Sequence, residues 1–274
     1  MLDDATLLAL LDEDAPYGDL STEALGIGQD PGHLVFGART DMVPCGLQGA
    51  CRVLELSGAS ARCDAPEGTP VRAGTQLLQA EGNAGALHRA WKVAQYLVEH
   101  LSGIATATRA LCRAADPVPV ACTRRGFPGT RRLAAYAVRT GGGTLHRTGL
   151  SDTLLVTPEH RGFLPASSLT RRLLAAPRVQ PGKKLVIAVN NEAEALRLAD
   201  QADMLQLIHF SPDDLGRVRQ RLDERPRRPL LAPAGGVSVE LAAAYRDAGA
   251  DLLISSQPLL TPPLAIKAVL QPAG

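Results

Sequence analysis

Aromatic side chains are scarce in this chain. Phe, Tyr and Trp make up 3% of its 274 residues, which leaves few rings for stacking nucleic-acid bases. A strong charge of either sign is also missing: 29 Lys and Arg stand against 28 Asp and Glu, for a net charge of +1. That balance argues against a broadly basic nucleic-acid binder and against an acidic, solvated chain. The five cysteines (Cys45, Cys51, Cys63, Cys112 and Cys122) show neither a C-x-x-C pair nor another metal-ligand spacing, so they are expected to be reduced and mostly structural. No basic-then-apolar leader opens the sequence, and no run approaches the roughly 18 consecutive apolar residues of a membrane span. A cytoplasmic protein is expected, without a membrane or nucleic-acid partner.

Hydrophobic residues make up 45% of the chain, enough for a sizeable core built on Ala, Leu and Val. Up to about residue 115 the patterns change type often. Helical stretches at TLLALLDED and GACRVLELSG alternate with strand-like LVFGART, ARCD and TPVRAGTQLLQAEG. A long helix is predicted over 87–115, where Trp91, Ala94, Leu97, Val98, Leu101, Ile104 and Ala105 recur at three- and four-residue steps, with Gly103 as a candidate bend. Residues 1–115 read as a small α+β domain, with a helix at 262–274 as its candidate completion.

From Asp116 on, short apolar runs alternate with helical patterns in six strand-then-helix units, the last helix falling near PLAIKAVL. Such alternation indicates a parallel sheet with helical crossovers. Ser211 followed by Pro212, and Asn191 with Glu194 three residues on, are helix-start signals. A doubly wound sheet and an α/β barrel both fit. The lack of G-x-G-x-x-G after the first of these strands favours a TIM-like α/β barrel over 116–261. Ligands of such sheets bind beyond the carboxyl ends of the strands. The residues there are Arg124 and Arg125, Thr157 to His160, Asn190 and Asn191, His209, Gly235 and Gly236, and Ser255 and Ser256.

Six arginines (Arg124, Arg125, Arg131, Arg132, Arg139 and Arg147) and no acid lie between Asp116 and Asp152. Arg131, Arg132 and Arg139 suit either a solvated helix face or a ligand, whereas Arg124 and Arg125 sit at a strand end, where guanidinium forks suit phosphate or carboxylate. GGGTLHR reads as a helix cap or as one wall of an anion pocket that presents His146 and Arg147. Gly235 and Gly236, then Ser255 and Ser256, place backbone N–H groups at two late strand ends, a common phosphate-binding arrangement. Strand-end acids are few, so a magnesium site is poorly supplied; His160 and His209 are candidate acids or bases. No G-x-S-x-G elbow occurs.

CTRRGFPGTRRLAAYAVRTGGGTLHRTGLSD at 122–152 resembles a long motif of the quinolinate phosphoribosyltransferases, also called nicotinate-nucleotide pyrophosphorylases, and EDAPYGDLST and LSGIAT extend the likeness over nearly the whole chain. PYGDLST, LHRAWKVAQ and QLIHFSP are similar to the branch of that family associated with molybdenum transport. The resemblance implies a small α/β sandwich followed by an incomplete α/β barrel, and a homodimer. It also implies transfer of phosphoribose from phosphoribosyl pyrophosphate to a carboxylated nitrogen-ring acceptor with magnesium. By position, Arg124, His146 and Arg147 would hold the acceptor carboxylates as the catalytic group. Arg125, Gly235, Gly236, Ser255 and Ser256 would bind the sugar phosphate, and Lys92 would enter from the neighbouring subunit. No metal-ligand residues are assigned. Arg125 and Thr157 stand where the family carries lysines, and Ala188 and Ile208 where it carries acids. The alternative is a family member that binds an anionic ligand without turnover.

Overall fold

The computed structural model describes residues 3–273, which fall into two compact units. One comprises the residues up to Arg109, Phe127–Gly142 and those from Leu260 on; the other comprises Ala110–Gly126 and Gly143–Leu259.

The first unit opens with α1 (Asp4–Asp14), whose first turn is closed by the Asp3 carboxylate accepting from the Thr6 N–H, and α2 (Leu20–Ala24), capped in the same way by Asp19. Then follow β1 (Pro31–Ala38), α3 (Leu47–Leu56), β2 (Ser60–Cys63), β3 (Gln76–Asn83) and the long α4 (Ala84–Ala115), which continues into the second unit after Arg109. Among the described residues these strands form an antiparallel sheet in the order β11-β1-β3-β2. The outer strand β11 (Ile266–Pro272) overturns the expected C-terminal helix: Val269 lies opposite Val35, and the segment pairs along the whole of β1. PLAIKAVL carries apolar residues at both helical and strand spacings. The free edge of a distant strand decided between them, because its backbone groups need partners.

Gly103 does not interrupt α4, which runs through it unbroken. It makes room instead, since a Cβ there would lie 2.6 Å from the Pro262 carbonyl oxygen. The arginine-bearing helix α5 (Arg131–Thr140) belongs to this unit as well, with Ala137 in its core and the Tyr136 hydroxyl donating to Glu67. Gly141 and Gly142, the first two glycines of GGGTLHR, end α5 with N–H groups directed at the Ala137 and Arg139 carbonyls. Gly142 has a φ of 94°, and a Cβ on Gly141 would lie 2.5 Å from the Ala105 carbonyl oxygen. These two glycines therefore serve the helix end and its packing on α4, not a ligand wall.

In the second unit the strands are β4 (Val120–Cys122), β5 (Thr144–Leu145), β6 (Leu154–Val156), β7 (Leu185–Val189), β8 (Met204–Ile208), β9 (Leu230–Ala234) and β10 (Leu253–Ser255). Among the described residues they form one parallel sheet in the order β5-β4-β10-β9-β8-β7-β6, with β5 and β6 as open edges. This is the expected incomplete barrel. The short β5 inside GGGTLHR was not foreseen as a strand. Helices α6 (Pro158–Gly162), α7 (Ala166–Val179), α8 (Glu192–Leu198), α9 (Pro212–Asp223) and α10 (Val239–Asp247) fill the crossovers. Their caps follow the sequence signals: Asn191 accepts from the Glu194 N–H, and Ser211 with Asp214 forms a capping box. One sheet face buries Leu185, Ile187, Val189, Leu205, Leu207 and Leu253 under the helices, while the other packs Ala232, Ala234 and Ile254 with Met204 and Ile208. Period-2 alternation separates the faces, and each fully buried Leu or Ile contributes about 1.5–3 kcal/mol.

Gly141→Ala should destabilise by about 1–3 kcal/mol, the usual cost of forcing atoms into a filled site. Gly216→Ala in α9, where a Cβ has open space, should stabilise by roughly 0.5–1 kcal/mol through helix propensity. Urea unfolding of the two variants checks both signs.

Candidate active site

Because the sheet is parallel, the residues after each strand share one rim. Four neighbouring strands (β5, β4, β10 and β9) carry every residue to which the resemblance assigns a catalytic or substrate-binding role except Lys92; the other strand-end candidates, Thr157 to His160, Asn190, Asn191 and His209, follow β6, β7 and β8. With strands ~4.8 Å apart, these four ends span ~14 Å.

At the β5 end, the His146 N–H donates to the Cys122 carbonyl at 2.9 Å, extending the pairing with β4 by one residue. His146 is half-buried, and its Nε2 is enclosed without a hydrogen-bond partner. Burial, reinforced by the charge of Arg147, lowers its pKa to about 4, so the ring is neutral at pH 7. Burial, and then the charge of Arg124, also lowers the proton affinity of Arg147. Two guanidiniums close enough to perturb each other beside a neutral imidazole make a site that an anion relieves.

Thr123, which sequence reasoning passed over, ties the β4 end to β10. Its hydroxyl lies 2.7 Å from Ser256 Oγ and accepts from the Arg125 N–H at 3.2 Å, and its own N–H donates to the Ser255 carbonyl at 3.0 Å. Arg124 and Arg125 are exposed just beyond it. Ser255 is buried, and its hydroxyl is committed to the Val237 carbonyl at 2.8 Å and the Gln257 N–H at 3.1 Å. It shapes the rim, and Ser256 is the serine on the open side. Gly235 and Gly236, exposed after β9, have φ values of 79° and 90° and precede the N-terminus of α10. Glycine takes positive φ at two successive positions without a Cβ clash, and the turn leads into a helix N-terminus, where backbone N–H groups suit an anion. Lys92 lies on α4 in the first unit, where its ammonium sits 4.0 Å from the Trp91 ring centroid and 3.3 Å from Gln95 Oε1.

The β8-β7-β6 end has a different character. Ile208 packs with the small apolar residues of the inner face, and Ala188 is paired with Gln206, whose enclosed Oε1 has no partner. Arg161, unmarked in the sequence, is buried and donates to the Ala188 carbonyl and to both oxygens of Glu194 at 2.9 and 3.0 Å. Asp152 accepts from the Thr148 N–H, and Glu159 bonds the Thr157 hydroxyl. His160 serves as a cap, its Nδ1 meeting the Thr157 N–H at 3.1 Å and the hydroxyl at 2.9 Å. No group of three His, Cys, Asp or Glu able to hold a metal occurs among the described residues. With alanine and isoleucine at the strand ends and the nearby carboxylates engaged, the donor set does not fit the magnesium the resemblance implies.

Comparison with known proteins gives one family. The N-terminal domain of quinolinate phosphoribosyl transferase matches residues 19–102, and its C-terminal domain residues 104–264. The chain is 42% identical over 254 residues to a pyrophosphorylase ModD of Rhodobacter capsulatus, covering 91% of this chain and 98% of that one. It is 32% identical over 259 residues to the carboxylating nicotinate-nucleotide pyrophosphorylase of Mycobacterium leprae, covering 90% and 89%. The crystal structure of NadC from Streptococcus pyogenes superposes with a TM-score of 0.89 at 25% identity, covering 99% and 97%.

The His146 imidazole should titrate near pH 4 by NMR, and its pKa should rise in Arg147→Ala. Because the folded ring resists protonation, the unfolded chain binds more protons between about pH 4 and 6.5. This histidine's contribution to stability therefore falls as pH drops through that window. Titration of Mg2+ alone into the protein should give no saturable heat.

Proposed function

Because the chain belongs to the quinolinate phosphoribosyltransferase family, we propose that it transfers phosphoribose from phosphoribosyl pyrophosphate to the ring nitrogen of a carboxylated heterocycle of the quinolinate type. The ring nitrogen forms a bond to C1 of the ribose, the C1–O bond breaks, and pyrophosphate leaves with the electron pair; the carboxylate beside the ring nitrogen then leaves as carbon dioxide, and the ring carbon it vacates takes up a proton from water. One observation carries this reading: Arg124, His146 and Arg147 share a rim with the Gly235–Gly236 turn, two strands apart from β4 to β9. Acceptor carboxylates would lie against the arginines and the neutral His146, the sugar phosphate against the glycine turn and Ser256, and Arg125 beside them.

Catalysis in this reading comes from orientation and from fixed positive charge, and no step runs through a metal held by the chain. The protein would act as a cytoplasmic homodimer, with Lys92 serving the partner's site, in the molybdenum-transport-associated branch that its sequence resembles. A second reading rests on Ala188 and Ile208: a neutral rim at β7 and β8 favours a protein that binds the sugar phosphate and releases nothing.

Incubation with phosphoribosyl pyrophosphate and quinolinate should release pyrophosphate. Arg147→Ala should lower kcat/KM about 10- to 100-fold, the equivalent of one charge-assisted hydrogen bond. Saturable binding without release would favour the second reading.

A further inference from the structure

His209 is the one non-glycine residue with positive φ among the described residues, at 58°. A left-handed conformation is strained for a residue bearing a Cβ, and glycine or asparagine would make the same turn more cheaply. Packing does not account for the histidine, since the residue is exposed. Its backbone does the structural work, the N–H donating to the Ala234 carbonyl at 2.8 Å. Its ring, meanwhile, lies over the next strand's turn: a Cβ on Gly235 would sit 2.6 Å from His209 Cε1 and 2.7 Å from Nδ1. Gly236, beside it, has open space around its Cα. The first turn of α10 carries one acid, Glu240, whose carboxylate bonds the Ser238 hydroxyl.

Strain persists where a structure gains from it, most often at a ligand site. Here the strained residue puts an imidazole, with an N–H to donate, against the glycine turn read as the phosphate cradle. We propose that His209 is a ligand-binding residue that donates a hydrogen bond to the phosphate monoester held at Gly235–Gly236. The proposal rests on the reading of that turn as a phosphate cradle, and it adds a contact at the one strand end of β8-β7-β6 that borders the cradle. With Ile208 and Ala188 neutral, His209 is the side chain at the β8 end able to answer phosphate charge.

The test is calorimetric titration of ribose 5-phosphate into the wild type, His209→Gly and His209→Asn, alongside thermal unfolding of each without ligand. Both substitutions suit a left-handed backbone, so their Tm should equal or exceed the wild-type value while affinity falls about tenfold or more. The His209 ring resonances should also shift on saturation of the wild type. Unchanged affinity in both variants overturns the proposal and leaves the cradle standing, as does a loss of affinity matched by a drop in Tm, which would make His209 a support for Gly235. If the wild type itself binds no ribose 5-phosphate, the cradle reading fails and this inference fails with it.

Discussion

In a sheet whose strands all run the same way, every carboxyl end falls on one rim, and that constraint governs the second unit. Residues separated by more than a hundred positions become neighbours: the Thr123 hydroxyl meets Ser256, and the Arg125 amide follows from the same contact. The crossover helices keep the other face dry with leucine, isoleucine and valine. The inner face is left to alanine and other modest side chains, which allow a ligand to approach the rim.

Along that rim the chemistry divides. From β5 to β9 it is cationic or rich in backbone donors, with Arg124, Arg147 and the glycine turn. From β8 to β6 it is neutral, and the buried cation present, Arg161, is absorbed by Glu194 and by the Ala188 carbonyl. That ion pair holds the β7 end to the start of α8 instead of serving a ligand, since removing either partner would strand a charge in a largely dry site. At the β5 end, the imidazole of His146, kept neutral by burial, accepts or donates a hydrogen bond without adding to the repulsion of the two arginines.

Local chemistry was readable wherever it was self-contained. Asn191 and Ser211 cap the helices they were expected to cap, and the apolar runs of β7 and β8 are buried strands. Readings failed where a distant partner decided. The C-terminal segment is a strand because β1 offers an edge, and Gly103 and Gly141 are glycine because Pro262 and Ala105 carbonyls come within reach.

By itself, the sequence determined the family, the parallel sheet and the list of residues at its strand ends, because these depend on composition, period and short motifs. The tertiary structure decided which of those residues stand side by side on the rim. That outcome depends on strand order, which puts β10 between β4 and β9, and on close approaches such as the His209 ring over Gly235. No local spacing encodes either one. Each is fixed by the pairing of segments far apart in the chain.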